Sequence, residues 1–153
     1  HIHPLWSLNR GADTCTNCHN SGDARFIDHQ LLLTDGPSAD VPEHFNAYRE
    51  LLVRDILQEL VNGTPQDVLV PVIDPVTGLP VIDPVTGLPE MEPVFKSSPL
   101  SVSGAAASST FFSRFEPGGS HEGRLTGAEL RLLAEWVDIG AQYYNDPFAA
   151  PLN

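Results

Sequence analysis

Two cysteines, and the histidine directly after the second, constrain this chain more than any other feature in it. Cys15, Thr16, Asn17, Cys18 and His19 spell Cys-x-x-Cys-His. The two-residue spacer sets two sulfurs at the separation of the two vinyl groups of a haem, and each sulfur can form a thioether. The histidine then falls under the iron and can supply its proximal imidazole. The chain has no other cysteine, so nothing remains for a disulfide or a Cys-rich zinc site. A redox Cys-x-x-Cys belongs at a strand-to-helix junction, and the preceding Arg10-Gly11-Ala12-Asp13-Thr14 has no strand character. A zinc knuckle needs further thiolates or a second ligand pair. The motif therefore implies one covalently bound haem c. Such attachment takes place outside the bacterial cytoplasmic membrane, so a periplasmic or extracellular location follows from the motif.

The 153 residues suffice for one domain, with a modest protein core supplemented by the haem. The net charge of −12 disfavours nucleic acid and anionic membrane surfaces as partners and favours a basic protein. No stretch approaches the roughly 20 apolar residues of a membrane span. The chain opens at His1 with neither an initiator methionine nor a signal peptide. It is expected to be a mature product or a domain of something longer, with covalently linked neighbours.

Pro4 suits the first turn of a short helix, with Ile2, Leu5 and Trp6 as an apolar edge leading into the motif. His1, His3 and His29 carry little weight as ligands. Residues 34–40 read as a turn. A helix is expected over about residues 41–62, with Asp40 and Glu43 at capping-box spacing and Asn62-Gly63 as its stop. At 100° per residue, Phe45, Leu52, Val53, Ile56 and Leu60 share one face, and Arg49 falls at its middle. A guanidinium centred on an apolar stripe needs a partner, and a haem pocket would supply one.

Residues 64–100 read as an inserted excursion, a small β meander. Val72-Ile73-Asp74-Pro75-Val76-Thr77-Gly78-Leu79-Pro80 recurs unchanged over residues 81–89. Asp-Pro-Val-Thr-Gly is turn chemistry, with proline at the second position and glycine where φ is positive. The functional reading is a partner-binding finger or a weak calcium site at Asp74 and Asp83. The favoured reading is a tandem duplication in a tolerant surface loop. Helix returns over residues 101–115, with Ser101 or Ser103 as cap and Phe111, Phe112 and Phe115 as an aromatic face. A final helix is capped by Thr126 with Glu129 and closed by Gly140. Its apolar face is Leu130, Leu133, Ala134 and Val137, with Trp136 alongside. The tail from Tyr143 to Phe148 is expected to pack back on the body.

At both ends the chain resembles single-haem c-type cytochrome domains of large secreted bacterial proteins, including ones with carbohydrate-active modules. Ile2-His3-Pro4-Leu5-Trp6 looks like the lead of such domains. Leu125-Thr126-Gly127-Ala128-Glu129-Leu130 with Trp136-Val137-Asp138-Ile139-Gly140-Ala141 resembles their closing helix. The resemblance covers roughly the first fifth and last quarter of the chain. It implies a mainly α, cytochrome c-like fold over residues 1–153, built around one covalent haem and interrupted by the excursion at 64–100. It also implies electron transfer rather than enzymatic turnover. The family usually places a methionine over the distal face of the iron. Here the only methionine, Met91, sits between Glu90 and Glu92 beside the duplicated loop. The distal candidates are therefore Arg49, Met91, His121 and His44, with water as the default. Arg49 is assigned to the haem pocket in any case. An open distal site would make the chain a haem enzyme or a gas or redox sensor instead. The single Cys-x-x-Cys-His disfavours a di-haem peroxidase, and no hydrolytic constellation stands out.

Overall fold

The computed structural model describes residues 2–143. His1 and the tail residues 144–148 fall outside the described residues, as does the side chain of His29. The chain divides into two compact units, one built from the segments up to Val53 and from Ser98 onward, the other Arg54–Ser97.

A mainly α, cytochrome c-like fold is not what forms. The architecture is mixed α/β, with short helices and several small antiparallel sheets. The helices are α1 (Pro4–Ser7), α2 (Cys15–Cys18), α3 (Phe26–His29), α4 (Asn46–Leu52), α5 (Ser109–Phe112) and α6 (Gly127–Asp138). Among the described residues only α6 exceeds two turns, and no helix is long and apolar enough to cross a membrane.

In the first unit, α6 behaves as its sequence reads. The Thr126 hydroxyl accepts from Glu129 N at 3.3 Å, while Glu129 Oε2 accepts from Thr126 N at 2.7 Å. Two of the four orphan amides of the helix start are thereby satisfied. Gly140, at φ +87°, lets the chain turn out of the helix. Leu133 and Val137 are fully buried. They join Trp6, Leu33, Leu51, Leu100 and Phe111 in the core of this unit. Pro4 sits in the first turn of α1 as expected.

Two expected helices are cut short. The long helix over 41–62 stops at Leu52, because Asn62-Gly63 is a hairpin turn and not a helix stop. Asn62 (φ +54°) and Gly63 (φ +78°) are both left-handed, as a two-residue turn of the primed type requires. The strands they join, β2 (Gln58–Val61) and β3 (Thr64–Asp67), pair from Gln58↔Asp67 to Val61↔Thr64. The helix over 101–115 breaks into a 3-10 turn (Ala106–Ser108), α5, and a second 3-10 turn (Ser113–Phe115). Here Ser101 does not cap. Its amide instead donates to the Ser108 hydroxyl at 2.9 Å, which donates in turn to Gly104 O at 2.9 Å.

The second unit is a branched hairpin, wider than the expected 64–100 excursion at its start. Its stem pairs β1 (Asp55–Ile56) with β6 (Phe95–Lys96). One arm is β2–β3; the other pairs β4 (Leu69–Pro71) with β5 (Met91–Pro93). The fork is a closed ring of backbone hydrogen bonds: Leu57 N to Val94 O at 2.8 Å, Val94 N to Val68 O at 2.9 Å, Val68 N to Leu57 O at 2.8 Å. The same device recurs at the tip of the second arm. Val72 N donates to Glu90 O, Glu90 N to Val81 O and Val81 N to Val72 O, each at 2.9 Å. Each ring satisfies three donors and three acceptors where three chain crossings meet. Between the ring residues Val72, Val81 and Glu90, the two copies of the nine-residue repeat close as two lobes. In the lobes Gly78 and Gly87 both stand at φ +70°, and Asp74 and Asp83 accept from the turn amides of Val76 and Val85.

Candidate haem site

The Cys-x-x-Cys-His residues form a single helical turn, α2, with His19 as its C-terminal cap. His19 N donates to Cys15 O at 2.9 Å, and His19 O accepts from Leu33 N at 3.0 Å, tying the turn to a buried core residue. The turn is held from the N-terminal side by the buried Thr14, whose hydroxyl accepts from Arg10 N at 2.8 Å.

Two ion pairs clip this segment to the entry of α6. Arg10 pairs with Glu129, both side chains about six-sevenths buried (14% and 15% exposed), and Arg10 Nη1 also donates to Leu5 O at 2.8 Å. Arg124 pairs with Asp13 at 2.6 Å. Burial opposes ionisation of Glu129, but hydrogen bonds from Thr126 and Arg10 hold its carboxyl below its ordinary value. The two cysteines, both partly buried and free of disulfide, differ in surroundings. Burial pushes the Cys15 thiol up. Cys18 Sγ accepts a hydrogen bond from Arg25 Nη2 at 3.1 Å. Arg25 is itself gripped by both oxygens of Asp23 at 2.9 Å, which raises the affinity of its guanidinium for its proton.

A second imidazole faces His19. The rings of His19 and His121 lie 5.9 Å apart between centres and are tilted by only 22°. His121 reaches this position because its loop folds back on the 3-10 turn that follows α5 (Ser113–Phe115), with His121 N donating to Arg114 O at 2.7 Å. Gly119 makes the fold-back possible: a Cβ there would lie 2.3 Å from Arg114 O. The Ser120 hydroxyl is hydrogen-bonded to His121 Nδ1 at 2.8 Å. Phe115 stands beside His121, with ring centres 5.5 Å apart, and continues into Phe111 and Phe112. The aromatic face read from the sequence thus borders His121.

The other candidates have different surroundings. Arg49 does not sit on the buried face of its helix. With α4 limited to Asn46–Leu52, the buried side is Ala47 and Leu51, about 180° around the helix from Arg49. Its guanidinium meets the Asp40 carboxylate through Nε at 3.0 Å and Nη2 at 2.5 Å. With a hydrogen bond from Ser38, this drives the Asp40 carboxyl down to about 2. Asp40 is therefore the partner of Arg49 and not a helix cap. Met91 lies on β5 in the second unit, half exposed. His44 packs among Tyr48 and Tyr143, at 5.0 and 4.2 Å between ring centres. Among the described residues, no three His, Cys, Asp or Glu side chains cluster to hold a bare metal ion.

The residues around the motif fit a covalent haem: two available thiols on one helical turn, an imidazole next in sequence, and a second imidazole across from it. The sequence reading missed Arg25 on Cys18 and the clip between Arg10 and Glu129, because neither contact has a short-range pattern. No protein-family model matches the chain, and no curated protein or solved structure matches it either.

Proposed function

We propose that this chain holds one haem c through Cys15 and Cys18, with His19 as proximal and His121 as distal ligand, and that it transfers electrons. The placing of the two imidazoles carries the reading. Two imidazoles that held one iron, each through a nitrogen about 2.0 Å from it, would have centres roughly 6.2 Å apart. The centres of His19 and His121 stand at 5.9 Å with the rings stacked at 22°, so the separation suits a shared iron once each ring turns a nitrogen toward it. Ligation of His121 through Nε2 keeps the Ser120 hydrogen bond at Nδ1, the kind of outer contact that orients a ligating imidazole.

Haem bound by these residues would supply one-electron chemistry. The residues around it set orientation and access. Phe111, Phe112 and Phe115 offer an apolar wall, and the Arg10–Glu129 clip holds the motif against α6. The motif supports a periplasmic or extracellular location, and the acidic surface supports a basic redox partner.

Intact mass under denaturing conditions tests attachment: one haem above the polypeptide is expected from a maturation-competent host. The spectrum of the reduced protein tests ligation. Low-spin bands unmoved by carbon monoxide are expected for the wild type, with rapid carbon monoxide binding in His121→Ala. Rapid binding by the wild type would favour an open-site haem enzyme or gas sensor. Loss of the low-spin bands in Met91→Leu or Arg49→Leu, but not in His121→Ala, would move the distal ligand to that residue.

A further inference from the structure

The branched hairpin of residues 54–97 exposes apolar side chains in a way the rest of the chain does not. Of the sixteen large hydrophobic residues exposed among the described residues, eleven lie between Leu60 and Phe95. The extremes are the lobe tips: Val76 is 91% exposed and Val85 is 90% exposed, with Leu79 and Leu88 both at 64%. Scattered surface hydrophobics are ordinary, but a concentration of this kind on one small unit marks a contact surface. The repeat doubles it, presenting the same Val and Leu pair twice.

The tips are also closed by their own hydrogen bonds. Each lobe is closed by a turn-amide cap on Asp74 or Asp83 and by the return bonds Asp74 N to Leu79 O and Asp83 N to Leu88 O, both 2.9 Å. The ring through Val72, Val81 and Glu90 fixes the base of both lobes. A surface held in shape before contact loses little conformational entropy on binding.

The charge of the same stretch selects the occupant. Residues 54–97 hold seven Asp and Glu against two cations, Arg54 and Lys96, both at the stem, where Lys96 pairs with Asp55 and Arg54 lies over Phe95. Both lobes and both arms carry acidic residues and no Lys, Arg or His. Such a surface repels nucleic acid, anionic lipid and a second copy of itself. It complements an apolar patch rimmed by lysines or arginines, the arrangement in which apolar contact supplies affinity and the charged rim supplies steering.

We propose that the two-lobed hairpin is a docking surface for a protein that presents an apolar patch ringed by basic side chains. The inference stands on residues 54–97 alone and holds whether or not the haem reading does. A basic, lysine-ringed cytochrome c is the probe, titrated calorimetrically into the full chain. Saturable binding is expected at low salt, weakened at least about tenfold by the double change Val76→Ser with Val85→Ser. Raising salt from roughly 20 to 200 mM should weaken it as well, since the rim attraction is screened. Both valines are nearly fully exposed, so the thermal midpoint of the double variant should match the wild type. Removal of residues 81–89, one lobe, should weaken binding by an intermediate factor. The proposal is overturned if the probe does not bind at low salt, or if the double variant binds it as tightly as the wild type. Sedimentation showing self-association that the valine changes abolish would overturn it in favour of a second copy.

Discussion

Arg10 and Glu129, 119 residues apart, meet in a nearly buried ion pair just before the Cys-x-x-Cys turn and at the first turn of α6. Glu129 uses its two oxygens for different tasks. Oε2 completes the capping box with Thr126, and Oε1 receives Arg10. A local helix signal is thus also the tertiary anchor of the motif. Breaking a mostly buried pair from one side leaves the other charge uncompensated. Arg10→Leu should therefore lower unfolding free energy by about 1–3 kcal/mol in urea titration. Glu129→Ala should cost about 1 kcal/mol more, because the cap is lost as well.

Gly119→Ala should act on His121 without touching it. The added Cβ would fall 2.3–2.6 Å from the backbone of Ser113 and Arg114, so the loop must shift and carry His121 with it. The expected result is covalent haem retained by mass, with loss of low-spin bands and gain of carbon monoxide binding. A low-spin spectrum identical to the wild type would show that His121 is not the distal ligand.

Deleting residues 81–89 should leave the haem spectrum unchanged and lower stability by less than about 1 kcal/mol. The ring explains the tolerance. With the second lobe removed, Val72 and Glu90 can exchange both backbone hydrogen bonds, as facing residues in an antiparallel ladder do, and continue the β4–β5 register. No backbone group is orphaned. A fall in the thermal midpoint of many degrees would show that the three-way ring is needed as it stands.

Arg49→Leu should leave the midpoint potential unchanged while altering acid stability. Asp40 titrates at about 2 when paired with Arg49, below its unfolded value. The pairing therefore contributes stability above the unfolded carboxylate range, and that contribution is lost as pH falls toward 2. The variant should lose part of the acid-side slope of stability below about pH 4. A shifted potential would return Arg49 to the haem pocket.

His3 predicts a second pH window. Its ring stacks on Phe45 with centres 4.2 Å apart, and neither ring nitrogen reaches water or a hydrogen-bond partner. Burial lowers its proton affinity, with Asp35 opposing. The unfolded chain then binds the proton first, so stability is full above about pH 6.5 and declines as pH falls through the lowered folded value. His3→Phe should flatten that decline in urea titrations between about pH 7 and 5.

What the sequence alone determined is what a few neighbouring residues decide among themselves. The spacing of Cys15, Cys18 and His19, the capping box of Thr126 and Glu129, and the Asp-Pro-Val-Thr-Gly turns at the lobe tips are each closed by bonds spanning at most five residues, whereas the ring at the base of the lobes spans nine and eighteen. Side-chain chemistry and backbone geometry suffice there. The tertiary structure decided the rest. Residues 53–62 have apolar positions that suit a helical stripe, yet they form two short strands, β1 and β2, whose partners are 95–96 and 64–67, the second joined through the Asn62-Gly63 turn. Which pattern prevails depends on whether a distant strand is present to satisfy the backbone, and helical periodicity does not contain that information. The same holds for Arg49, which leaves the buried face because the helix ends at Leu52, ten residues before Asn62, and for His121. A polar, glycine-rich loop gives no periodic signal. Its imidazole faces His19 only because Gly119 lets the chain fold against Arg114, a contact set by backbone sterics in three dimensions.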